Sequence, residues 1–361
     1  MLDRITGSCQ LGGEDELSRS WSMGTCYVWR VLLPTLTLLI ALVSLSDCFA
    51  QSAVTSFHTI VAPKPGEDVA DPCQYELRIL TERKRIHGLF VVFERGPELQ
   101  HFHEEPEVAA FAREHDLAML MPMGCPAKDH GDIDVDPNRG LGRALLTAVE
   151  QLSVMTKHPE LKTAPLIVLG FSGAGALAGR LVGFAPDRIE AAILSHGGQV
   201  APLNLDTISL SGAALKIPEL ILVGGKDGVV GTEVAYSYFS KYWRLGAPWL
   251  FATQNDANHF CNEDATDLIL SWLTAILDNP GSKQASMGVN RGYYAFFRKE
   301  PTGLFDHDHL PLMGAVGLKF AQPSEVTPKD AVPAGWLPSK DVALSWERFA
   351  NLPDHHAAVK P

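Results

Sequence analysis

The chain has 361 residues, 46% of them apolar and 20% charged, with 31 Gly and 24 Pro. That is a globular composition, and it excludes a disordered, collagen-like or low-complexity chain. The net charge of −12 removes the long-range attraction that phosphate-backbone binding depends on, which argues against a nucleic-acid partner.

In chain order, residues 31–45 come first as an uncharged apolar run, preceded by Arg30 and followed by Cys48-Phe49-Ala50. A spanning helix needs about 20 apolar residues. A basic residue, a shorter apolar core and a small-residue cleavage site are the order of a secretory signal peptide. Residues 1–50 are therefore expected to be a leader cut after Ala50, with a soluble secreted or periplasmic product. An uncleaved N-terminal membrane anchor is the alternative reading. The acidic stretch Glu14-Asp15-Glu16 is foreign to such leaders, so Met23 is the expected true start. Cys73, Cys125 and Cys261 remain after cleavage, enough in an oxidising compartment for one disulfide and one free thiol.

From about residue 56, β-rich runs alternate with helical patterns, which predicts an α/β fold with a mainly parallel central sheet and helices on both faces. Strands are expected at 59–61, 75–80, 89–93, 118–121, 166–169, 191–194, 220–223 and 249–251. Helices are expected at 106–115, 139–155, 174–183, 234–243 and 264–277. Leu89-Phe90-Val91-Val92-Phe93 and Leu166-Ile167-Val168-Leu169 are continuous apolar runs, as strands covered on both faces require. Residues 51–280 form the expected catalytic domain. After 280 the periodicity fades, and 281–361 reads as a polar, Pro-rich tail that wraps the domain.

The chemistry-bearing signal is Leu169-Gly170-Phe171-Ser172-Gly173-Ala174-Gly175. It sets a serine among small residues where a buried strand turns into a helix. There the Ser172 hydroxyl would be held clear of the sheet, with the Gly173 N–H at the helix start aimed at a developing oxyanion. The segment resembles the nucleophile elbow of the α/β-hydrolase family, with Ala174 in place of the last glycine of its G-x-S-x-G form. In that family an acid and then a histidine follow the serine on later strand ends. Asp227 ends Val223-Gly224-Gly225-Lys226-Asp227, and His259 lies in Asp256-Ala257-Asn258-His259-Phe260, before the last predicted helix. The resemblance spans about residues 77–277. It implies a serine hydrolase with Ser172 as nucleophile, His259 as base and Asp227 orienting the base. It also implies a second oxyanion donor from the loop after the 89–93 strand, at the backbone of Glu94 or Arg95. The branches it resembles are the secreted polyhydroxybutyrate depolymerases, feruloyl esterases and dienelactone hydrolases. The implied substrate is a small or polymeric carboxylic ester, hydrolysed without metal or cofactor.

Other groups compete for these roles. His196, in Ser195-His196-Gly197-Gly198, also follows a strand end but precedes Asp227, and it is expected to line the pocket. Asp256 shares the His259 loop and is poorly placed to orient that ring from behind. The sets Asp306-His307-Asp308-His309 and His101-Phe102-His103-Glu104 contain metal-ligand residue types, but no element aims them together, so they read as solvated loops. Cys125 and Cys261 are both expected near the site rim and are the predicted disulfide pair. Rival functions are a peptidase on the same fold, for which about 24 residues between the 191–194 and 220–223 strands leave little cap, and a non-catalytic binding protein.

Overall fold

A computed structural model describes residues 54–80, 85–93, 102–125, 136–197, 208–210, 212–259, 265–278, 292–297, 319–321 and 332–352. The leader at 1–50, Glu94, Arg95, Cys261 and the 306–309 set lie outside the described residues.

Eleven strands run through the described residues: β1 Thr55–Val61, β2 Cys73–Ile79, β3 Gly88–Phe93, β4 Leu117–Gly124, β5 Leu166–Phe171, β6 Ile189–Ser195, β7 Glu219–Gly224, β8 Leu250–Gln254, β9 Tyr293–Phe297, β10 Lys319–Ala321 and β11 Val332–Leu337. Six helices connect or follow them: α1 Pro106–Glu114, α2 Leu141–Met155, α3 Gly173–Phe184, α4 Glu233–Trp243, α5 Thr266–Leu277 and α6 Lys340–Ala350. The strands form one sheet in the order β1-β2-β4-β3-β5-β6-β7-β8-β11-β9-β10. From β4 to β8 every neighbouring pair is parallel. Both flanks are antiparallel, so the sheet is parallel at its centre and mixed as a whole.

The reason lies in the side chains. β5 is buried along its whole length, and so is β7, the signature of strands covered on both faces. β1 sits at the edge and exposes most of its residues. α2 buries Leu141, Leu145, Val149 and Leu152, one stripe at helical spacing, against β1 and β2.

Two expectations need correction. The described residues after 280 join the domain instead of wrapping it: β9, β10 and β11 extend the sheet beyond β8, and α6 packs beside α5. Burial drives this, because α6 presents Val342, Trp346 and Phe349 on one face, and the Trp346 indole N–H donates to the Phe251 carbonyl at 2.9 Å. The disulfide joins Cys73 to Cys125, so Cys125 is not available to Cys261. The cause is register: β2 and β4 are antiparallel neighbours with Gln74 opposite Gly124, which brings the cysteine starting β2 beside the one following β4.

Candidate active site

The parallel strands end together at one edge of the sheet, and three of those ends carry the residues that matter. Between β5 and α3, Ser172 holds φ +54°, a left-handed conformation costly for a residue with a side chain and concentrated at functional turns. The turn is so tight that a Cβ on Gly170 would collide with the Ala174 carbonyl. Ala174 itself is accommodated, which explains why the departure from the five-residue glycine pattern leaves the elbow intact. The Ser172 N–H donates to the Ser195 carbonyl at 2.9 Å, fastening the elbow to the end of β6. Gly173 opens α3, so its backbone lies at the positive end of the helix dipole beside the Ser172 side chain.

Asp227 follows β7 and is 2% exposed. One oxygen, Oδ1, accepts the backbone N–H groups of Val229 and Val230 at 2.9 and 3.0 Å. The other, Oδ2, lies 2.8 Å from His259 Nδ1. His259 Nε2 is in turn 3.1 Å from Ser172 Oγ. The three side chains thus form one hydrogen-bonded chain across the ends of β5, β7 and β8. Because Asp227 accepts at both oxygens, Nδ1 carries the proton and the Nε2 lone pair faces the serine hydroxyl.

Burial alone would raise the Asp227 pKa. The His259 hydrogen bond, the nearby His196 and His259 rings and the Val230 N–H outweigh it, and the carboxyl is held below its ordinary value. The loops bearing the acid and the histidine are themselves sewn together. The Lys226 N–H donates to the Ala257 carbonyl at 2.8 Å, and a Cβ on Gly225 would collide with the Asn255 carbonyl. The C-terminal segment supports the same loop, since the Asn255 N–H donates to the Ala350 carbonyl at the end of α6.

The competing groups are also placed. Asp256 is drawn away from His259, its carboxylate 2.8 Å from Lys226 Nζ in an exposed ion pair. His196 does not line an open pocket. It is fully buried, with Nδ1 3.1 Å from Ser195 Oγ and its ring packed on Phe171 and edge-on to His259. His103 is buried, its Nε2 3.6 Å from the Glu104 carboxylate. Sequence reasoning had no signal for the support lent by α6 or for the contact between the two histidine rings, because both depend on tertiary packing.

A sheet parallel at its centre, with helices packed against it, makes this an α/β fold. No family model and no curated protein matches the sequence. Among solved structures, the chain is similar to FphF, a fluorophosphonate-binding serine hydrolase of Staphylococcus aureus, at 14% identity and TM-score 0.43, over 62% of this chain and 98% of that one. It is similar to the poly(3-hydroxybutyrate) depolymerase LpqC of Bordetella parapertussis at 13% identity and TM-score 0.45, over 62% and 89%. A ferulic acid esterase aligns at 13% identity and TM-score 0.47, over 62% and 98%.

Proposed function

We propose that this protein is an exported serine hydrolase that cleaves carboxylic esters through an acyl-enzyme formed on Ser172. The observation carrying this reading is the unbroken hydrogen-bond chain from Ser172 through His259 to Asp227, set on a strained elbow.

A serine hydroxyl at its ordinary pKa is a weak nucleophile and needs a base at hydrogen-bond range. His259 Nε2 takes the Oγ proton as Oγ attacks the ester carbonyl. Asp227 keeps the ring in the tautomer that can accept that proton and stabilises the imidazolium that results. The negative charge that develops on the carbonyl oxygen falls at the N-terminus of α3, where the Gly173 N–H is one donor. The second donor is expected from the backbone of Glu94 or Arg95, which lie outside the described residues. His259 then gives its proton to the departing alkoxide, leaving the acyl group on Ser172. Water, deprotonated by the same ring, attacks the acyl carbon and releases the acid with Ser172 reprotonated.

Export draws support from the Cys73–Cys125 disulfide, a bond at home in an oxidising compartment, and from the apolar run at 31–45.

A fluorophosphonate probe tests the reading. The wild-type protein should be labelled, Ser172→Ala should not, and turnover of p-nitrophenyl esters should fall by about 10⁶-fold in that variant. A folded wild-type protein that resists labelling would instead be a binding module on a hydrolase scaffold. Among active outcomes, the ester panel, extended to feruloyl and hydroxybutyrate esters, identifies the preferred acyl group.

A further inference from the structure

Two costs meet at His196. Its backbone at the end of β6 holds φ +46°, in the left-handed region that favours glycine and that other residues enter at a penalty. Its ring is fully buried, and among the described residues its Nε2 has no hydrogen-bond partner, which is itself unfavourable. Glycine would remove the first cost and an apolar side chain the second. An imidazole that incurs both, beside the hydrogen-bonded chain yet outside it, points to a task for the ring.

The contacts show what that task is. Nδ1 lies 3.1 Å from Ser195 Oγ, which fixes the plane of the His196 ring. That ring meets His259 edge-to-face, at 85° with centroids 5.9 Å apart. Phe171 packs against both, with centroids 5.5 Å from His196 and 5.0 Å from His259. Asp227 holds the His259 ring at Nδ1, and a tilt of the ring about that hydrogen bond would carry Nε2 away from the serine. Phe171 and His196 oppose that tilt. Burial lowers the His196 pKa to about 4, against the pull of Asp227 and reinforced by His259. The ring is therefore neutral near pH 7 and sets no second positive charge beside the imidazolium that forms during catalysis.

We propose that His196 is a positioning residue whose ring holds His259 in the orientation that keeps Nε2 on Ser172 Oγ. This rests on the serine-hydrolase reading above. It assigns His196 no contact with substrate, so its removal should slow acylation without weakening binding.

The test uses His196→Asn and His196→Phe. Asparagine tolerates the left-handed backbone and keeps a partner for Ser195 but lacks the ring, whereas phenylalanine restores a ring and lacks the partner. In His196→Asn, kcat on a p-nitrophenyl ester and the fluorophosphonate labelling rate should fall together by about tenfold to a hundredfold, as for a base displaced by a fraction of an ångström. KM should stay within about twofold, and His196→Phe should recover most of both rates. A folded His196→Asn variant with wild-type rates overturns the proposal, as does a His196→Phe variant as slow as His196→Asn. Should His196→Asn fail to fold, His196→Gln takes its place with the same readouts. Labelling of wild type separates the two levels: an unlabelled wild type removes the hydrolase reading, while equal labelling of wild type and variants removes only the role of His196.

Discussion

Strand β7 begins and ends at a buried carboxylate. Glu219 opens the strand and is fully buried, and Asp227 lies just beyond its other end at 2% exposure. Both lose water, yet their pKa values move in opposite directions. Glu219 is offered one side chain, the Tyr238 hydroxyl, at 3.1 and 3.3 Å from its two oxygens, and burial wins: its pKa is raised well above the ordinary value. Asp227 is offered two backbone N–H groups and an imidazole, and its pKa is lowered despite burial. Burial thus pushes Glu219 toward its neutral form inside the core, while Asp227 is held as a buried anion hydrogen-bonded to His259. Burial is common to both, so the surroundings set the direction of each shift: one hydroxyl at Glu219, against backbone N–H groups and two histidine rings at Asp227.

The sharpest way to break this contrast is Asp227→Asn. The amide oxygen can still accept from Val229 and Val230, so the loop should keep its shape. The amide nitrogen, however, donates toward Nδ1 and imposes the wrong tautomer on His259. Turnover of a p-nitrophenyl ester should fall by about 10⁴-fold, with the circular dichroism spectrum unchanged. Turnover within tenfold of wild type would mean that Asp227 is not the orienting acid. A smaller effect is expected at the other end of the strand. Tyr238→Phe removes the hydroxyl beside Glu219 and leaves a buried acid without that partner, at a cost of about 1–3 kcal/mol, read as a lower urea midpoint with kcat unchanged. A fall in kcat there would couple the two ends of β7 and blur the comparison.

How much of this was legible depended on whether a feature was local. The α/β alternation, the buried runs of β3 and β5 and the helical stripe of α2 could be read because each element's own residues specify it. The order serine, acid, histidine was likewise readable, since each residue stands at the end of a strand that could itself be recognised. The disulfide was not, because choosing Cys73 for Cys125 requires knowing that β2 pairs antiparallel with β4. The C-terminal strands were missed for a different reason. β11 contains Pro333 and Gly335, turn residues by composition, and the ladder to β9 slips between them. Gly335, at φ +118°, lets the strand pass so close to β8 that a Cβ would strike the Trp249 carbonyl. In α6 the stripe Val342, Trp346 and Phe349 and the Ser339 cap, which accepts the Val342 N–H at 3.2 Å, were present in the sequence. The Pro-, His- and Asp-rich composition around them hid the pattern. Glu219 carried no signal at all: a glutamate opening a strand says nothing of its burial until α4 is laid over β7 with Tyr238 facing it.

The gentlest perturbation tests the Glu219 half of the comparison by its pH dependence. An acid whose pKa is higher folded than unfolded holds its proton more tightly in the native state. Its contribution to stability is fully present below the unfolded carboxylate value and is lost as pH rises through the folded one. Over that window the unfolded chain releases the proton first, so stability should decline by about 1.4 kcal/mol per pH unit from this group alone. Asp227, with its lowered pKa, has the opposite sign: its contribution is present above the unfolded value and lost as pH falls through the folded one. Glu219→Gln, neutral at every pH and of nearly the same shape, should leave kcat within about twofold and flatten the decline on the alkaline side. It should leave the acid-side loss in place, because that loss belongs to other groups, Asp227 among them. Urea midpoints measured from pH 4 to 9 on wild type and variant separate the two limbs. An unchanged alkaline slope in the variant would show that Glu219 is ionised in the folded protein, and that the two ends of β7 differ less than their hydrogen bonds suggest.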